Sequence, residues 1–318
     1  MTILNILIYP LRRAGEHGAL ALALSLLIGL AFPALAAYVK PYLREIIILL
    51  LVSSFLRVEP DALRQVTRRP LMIILGTIWL LIAMPFILFG LFIALGLPQS
   101  HPDLIVILLL TVTAPPVMSA PAMAYVLGLN GAISLSVMIL SMLCVPITAP
   151  IITDWLMPGL LPISALQLSG QLAIILMGSW ITAQILKIFL TQSHLTRYKT
   201  EIDGLNVFLL FFFAVSLMDD VGDHFITQPV FALLMTMATF VLAFFQIGIT
   251  MLAFAPFGSE KAWPLALSVG NRNMGMMVVA IGSQMPDASW LWFALGQFPI
   301  YMLPLILTPI LAPKRRRG

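Results

Sequence analysis

Thr111-Val112-Thr113-Ala114-Pro115-Pro116-Val117-Met118-Ser119-Ala120-Pro121 and Ser268-Val269-Gly270-Asn271-Arg272-Asn273-Met274-Gly275 interrupt two otherwise apolar segments of this chain. In the first, Pro115, Pro116 and Pro121 remove amide donors and clash with the preceding turn, so a helix entering the stretch should open. In the second, two glycines frame two amides and a guanidinium. Both lie within runs long enough to cross a bilayer as a helix, for which about 20 residues suffice. Backbone freed at membrane depth is tolerated only where it is buried in protein or lines a cavity. Two such breaks therefore predict a site built where opened helices meet. Single prolines and glycines that merely kink or pack membrane helices are the plainer alternative.

The rest of the chain fits a membrane setting. Of 318 residues, 61% are hydrophobic and 9% charged, against about 25% charged in a soluble domain. Short alternating strands of the kind that build a transmembrane barrel are absent from the pattern. The lone cysteine, Cys144, sits in an apolar run and can build neither a disulfide framework nor a metal cluster. His17, His101, His194 and His224 fall in loops or at span ends without metal spacing, so neither a metal nor another cofactor is expected. The missing catalytic pairs, such as a His-Glu zinc motif, argue against an intramembrane enzyme.

Ten spans are expected, near 18–38, 43–57, 71–97, 104–127, 131–156, 165–187, 204–220, 229–255, 262–283 and 289–312. The first ends in Ala34-Leu35-Ala36, which resembles a signal-peptidase site, but its long apolar run and the many later spans favour an uncleaved helix. Counting loops alternately from inside, the inner set holds Arg12, Arg13, Arg57, Arg64, Arg68, Arg69, Lys187, Arg197, Lys199, Lys261, Lys314, Arg315, Arg316 and Arg317. The outer set holds Lys40 and Arg44. That bias predicts a multi-pass protein of the cell membrane with both termini cytoplasmic. The tail 313–318 reads as a topology anchor rather than a nucleic-acid patch.

The spans divide at Met157-Pro158-Gly159-Leu160-Leu161-Pro162 into halves 1–156 and 165–312, each with a break in its fourth span. Five is odd, so the second half must enter the membrane from the opposite face, an inverted repeat of the kind secondary transporters use. The fold class expected is thus all-α, with about ten transmembrane helices in a 5+5 inverted repeat and two broken, crossing helices.

Several local patterns in order carry a family resemblance: Pro60-Asp61 with Arg69-Pro70, Met84-Pro85 with Leu97-Pro98, Tyr125 to Asn130 followed by Ala132 and Ser134, and Val269-Gly270 with Asn273 and Gly275. The chain resembles the bile acid:sodium symporter superfamily over nearly its full length. The resemblance implies a core of spans three to five and eight to ten, a panel of spans one, two, six and seven, and organic anions moved by alternating access with sodium. It also exposes departures. Where the family carries a glutamate, two glutamines, a Ser-Asn pair and a hydroxyl around its sodium ions, this chain has Ser268, Arg272 and Leu80, Ala120-Pro121, and Met138, with Ser134 surviving. Sodium is a hard cation that needs several oxygens, so these losses argue against the family's usual coupling.

Arg272 is the pivotal residue. A guanidinium at a helix centre costs about 2.5–3.5 kcal/mol on insertion scales and needs a partner. Asp154, Asp219, Asp220, Asp223 and Asp287 fall near outer span ends, and Glu201, Asp203 and Glu260 near inner ones. Two roles stay open. Arg272 contacts an anionic substrate, with Asn271, Asn273, Ser268, Ser119 and Ser134 completing the site; or it staples the crossover by donating to carbonyls freed by the break. Gln246 and Gln297 are buried-amide candidates, lining the path or bonding between helices. The function expected is secondary transport of a small organic anion within the lipid bilayer. Sodium or a proton is the candidate coupling ion. The alternative is a non-transporting sensor or scaffold on a transporter fold.

Overall fold

The computed structural model describes residues 18–56, 70–190, 198–219 and 221–311. Most basic residues that set the expected orientation, including Arg12, Arg13, Arg57, Arg64, Arg68, Arg69, Arg197 and the tail 313–318, lie outside them. So do His17, His194, Pro60, Asp61 and Asp220.

Within the described residues the chain is helical. The helices are α1 (Gly18–Ala31), α2 (Pro33–Val39), α3 (Leu43–Leu56), α4 (Pro70–Ala94), α5 (Pro102–Thr113), α6 (Ala120–Val126), α7 (Gly131–Leu156), α8 (Ala165–Phe189), α9 (Lys199–Leu217), α10 (Val221–Thr227), α11 (Pro229–Phe254), α12 (Ser259–Gly270), α13 (Met274–Ile281), α14 (Asp287–Leu295) and α15 (Gln297–Leu311). Six stretches are long and apolar enough to cross a membrane: Pro70–Ala94, Gly131–Leu156, Ala165–Phe189, Thr200–Leu217, Pro229–Phe257 and Ala288–Leu311. This is a polytopic membrane protein.

The other four expected spans are shorter or divided. The first, read as continuous over 18–38, is split at Phe32, because Pro33 supplies no amide and drives the residue before it out of the helical region (φ −126°, ψ 73°). The 14 residues of α3 rise only about 21 Å, short of a hydrocarbon core about 30 Å thick. The fourth and ninth are each cut in two at the quoted stretches.

The chain forms two compact units, one of residues 1–58 and 176–234, the other of 59–175 and 235–318. In the first, α9 packs along α1, α2 and α3. Gly29 permits this contact, since a Cβ there would lie 2.8 Å from the Met218 side chain. Lys40 closes the end of this packing with a 2.7 Å ion pair to Asp219. In the second, Ala124 of α6 and Leu127 just after it, Ala243 and Ile247 of α11, Ala266 and Leu267 of α12, and Leu303 and Leu307 of α15 form one buried cluster. Small residues at three of these four helices bring backbones close, which is how membrane helices associate when lipid removes any hydrophobic drive. Both interrupted segments belong to this second unit.

Candidate functional site

The two interruptions meet. Ala114 turns extended (ψ 150°) after α5, and α12 ends at Gly270 with Asn271 also extended. Pro116 and Arg272 then face each other as an isolated antiparallel bridge. Val117 N donates to Asn271 O at 2.9 Å and Asn273 N to Pro115 O at 2.8 Å. Pro115 and Pro116 open the first helix as expected. Pro121 instead sits in the first turn of α6, where the missing amide would be unpaired anyway.

Helix breaks leave carbonyls without amides, and three of these converge on one side chain. Ala114 O has lost its partner because α5 stops at Thr113. Val269 O would have taken the amide of Asn273, which goes to Pro115 instead. Leu80 O lies in a π turn over Trp79–Ala83, where Met84 N is drawn to Trp79 O. The next amide in that register belongs to Pro85, which has none. Arg272 supplies all three. Its Nε donates to Val269 O at 2.7 Å, and its Nη1 to Ala114 O at 2.9 Å and Leu80 O at 3.1 Å. Nε is shared with Gln246 Oε1 of α11 at 3.2 Å. The side chain is 2% exposed.

The magnitudes favour this arrangement. A hydrogen bond to a charged group contributes about 1.5–3 kcal/mol, so four together outweigh the insertion cost of a few kcal/mol. Position follows from packing: Trp79 Nε1 donates to Thr250 Oγ1 at 3.0 Å, and Thr250 Oγ1 to Gln246 O at 2.7 Å. These contacts hold the π turn against the stretch of α11 that carries Gln246. Gly270 completes the fit, because a Cβ there would lie 2.5 Å from Ile247 Cγ1.

The other expected site residues gather around this crossing in different states. Asn271 is fully buried; its Nδ2 donates to Leu267 O at 2.8 Å, closing α12, while Oδ1 has no partner. Asn273 caps α13, accepting from Met276 N at 3.3 Å, and is half-buried. Ser134 of α7 and Ser268 of α12 are buried and share a 2.7 Å hydroxyl contact, with Ser268 donating onward to Pro264 O. Ser119 is half-buried at the start of α6 and makes no capping hydrogen bond. Gln297, the first residue of α15, donates to Phe293 O of α14 at 3.2 Å. Leu80 matters through its carbonyl, which sequence reasoning could not anticipate from an apolar side chain. The signal was Met84-Pro85, five residues on.

The sodium bile acid symporter family matches residues 46–228. The chain belongs to that family. The matched segment includes the opening at Pro115-Pro116 and stops before α12, so Arg272 lies beyond it. The chain is also similar to the uncharacterized sodium-dependent transporter YocS of Bacillus subtilis (strain 168), 27% identical over 161 residues that make up 48% of this chain and 49% of that protein. The similarity spans about half the length of this curated relative.

Among the described residues of this symporter-family chain, no group of acidic, histidine or cysteine side chains is disposed to hold a metal ion. The charge at the crossing is carried by the protein itself.

Proposed function

We propose that the chain is a secondary transporter of small organic anions that works by alternating access and does not use sodium at the crossing. The observation that carries this reading is the oxygen cluster of Leu80 O, Ala114 O, Val269 O and Gln246 Oε1 closed around the Arg272 guanidinium. Four neutral oxygens from separate elements make a setting suited to a cation. Here the cation is tethered, so it neither enters nor leaves. Family membership supports transport over enzymatic activity, and YocS, by its name, is sodium-dependent. In this chain the fixed charge would replace the exchangeable one.

The substrate-binding set proposed is Arg272, Asn271, Asn273, Ser268, Ser119 and Ser134, acting in two tiers. Ser119 and Asn273 are half-buried and can meet a solute directly. Arg272, Asn271, Ser134 and Ser268 are buried, fixing the crossing and lending it a positive field that attracts an anion. The proposal extends to ten spans in an inverted repeat of 1–156 and 165–312, to both termini in the cytoplasm, and to a cell-membrane location. The two compact units support a core and a panel as the moving parts.

The test is a thermal-shift panel of organic anions on the purified full chain, with sodium or choline as the counter-ion. Stabilisation by an anion that is equal in both is expected. Stabilisation that requires sodium overturns the reading. The commitment of Arg272 Nε and Nη1 to the protein's own oxygens also suits a non-transporting sensor. Uptake of the stabilising anion into proteoliposomes separates the two.

A further inference from the structure

The guanidinium at the crossing is buried and carries a full charge, yet every group it touches is neutral. Carbonyls and an amide solvate a cation but do not neutralise it, and an uncompensated charge away from water is among the costliest features a protein can keep. An ion pair among the described residues, Lys40 with Asp219, lies in the other compact unit. One nitrogen of Arg272, Nη2, is buried without any hydrogen-bond partner.

A cleft of about 20 Å³ adjoins this side chain, lined by Thr111, Thr239, Gln246, Arg272, Trp292 and Gly296 among others, none of them acidic. That volume exceeds the 10–15 Å³ or so that one water-sized particle needs and suits a monatomic ion. The donors available in it are few and specific. Thr111 and Thr239 spend their hydroxyl protons within their own helices, on Ile107 O and Thr236 O. Gln246 turns Oε1 to Arg272 Nε, so its Nε2 remains as a donor. Trp292, also in the lining, carries an indole N–H. N–H donors on Gln246 and Trp292, the positive charge of Arg272 and no acid describe a site for a single small anion.

We propose that this cleft holds a resident halide, chloride in the cell, seated beside the Arg272 guanidinium and against Gln246 Nε2 as the counter-charge of the crossing. The inference is independent of organic-anion transport, because the ion neutralises the guanidinium whether or not a substrate is carried. It implies that the protein is held together at this point by an inorganic ion rather than by a carboxylate of its own.

The experiment uses the full chain in detergent, with sodium gluconate exchanged stepwise for sodium chloride or bromide at constant ionic strength. Thermal unfolding is followed by tryptophan fluorescence, and binding by radiolabelled chloride. Wild type is expected to gain thermal stability saturably with either halide and to bind one chloride per chain. Gln246→Glu, which keeps the oxygen facing Arg272 Nε and supplies an internal counter-charge, is expected to be as stable in gluconate as wild type is in chloride and to bind no halide. Gln246→Leu, which removes the amide donor, is expected to lose at least tenfold in chloride affinity. Wild type that binds no chloride and responds to the salt exchange as Gln246→Glu does would mean that water fills the cleft, and overturns the proposal. Gln246→Glu that binds chloride as wild type does puts the ion elsewhere and overturns it equally. Organic anions are absent from this assay, so failure of the transport reading leaves its result unchanged.

Discussion

Replacing Arg272 with lysine keeps the charge and removes the geometry. The guanidinium presents Nε to Val269 O and Gln246 Oε1 and Nη1 to Ala114 O and Leu80 O, at 2.7, 3.2, 2.9 and 3.1 Å. A lysine offers one nitrogen on a shorter reach, and a point donor cannot serve two flanks of a planar fork. At least two of the four acceptors then lose their donor in a buried setting. Each lost partner costs about 1–3 kcal/mol, so Arg272→Lys should destabilise by about 2–6 kcal/mol. At about 2 °C per kcal/mol for a chain of this size, the thermal midpoint should fall by roughly 4–12 °C. The assay is thermal unfolding of the purified protein in detergent, with the exposed Arg44→Lys as a control that should not move. A midpoint for Arg272→Lys within about 1 °C of wild type would show that the four contacts contribute little, and the account of the crossing would fall with them.

Two further outcomes follow from the same unit. Gly270→Ala places a Cβ 2.5 Å from Ile247 Cγ1 and 3.1 Å from Ala243 O; overpacking of this kind costs about 1–3 kcal/mol, and adding Ile247→Ala should recover part of it in a thermal-unfolding double-mutant cycle. Ser268→Ala strands the Ser134 hydroxyl now 2.7 Å away; a loss of about 1–2 kcal/mol is expected, with Ser134→Ala and the double variant costing less than the sum of the singles.

The crossing was legible in the sequence because proline and glycine act locally. Pro115 and Pro116 withdraw two consecutive amides, and Gly270 ends its helix where another backbone approaches closely. These effects need no knowledge of the rest of the chain, so the openings in 104–127 and 262–283 fall where the residues put them. The partners of Arg272 were not legible. Three of its acceptors are carbonyls of apolar residues, Leu80, Ala114 and Val269, and a carbonyl is present at every position alike. What distinguishes these is the amide that each fails to receive, and that depends on tertiary pairing. Leu80 O is freed only because Met84 N shifts to Trp79 O ahead of Pro85, a register change that hydrophobic pattern does not encode. Gln246 stood out as a buried amide, but which helix it would answer depended on how α11 packs on α4. The split at Phe32 was missed for a different reason: Pro33 sits inside a smooth apolar run whose hydropathy hides the lost amide.

Joining the two opened segments covalently tests the crossing itself. Val117→Cys and Asn271→Cys, in a Cys144→Ala background, place thiols on residues linked by the Val117 N to Asn271 O hydrogen bond. Opposed residues of an antiparallel pair have Cα atoms about 4.5–5.5 Å apart, inside the range of about 4.4–6.8 Å that a disulfide spans. With a protease site inserted in the loop after α7, mild oxidation followed by cleavage should leave most of the protein running as one species until reductant is added. Two separate fragments before reduction, with both thiols reactive once the protein is unfolded, would contradict the account.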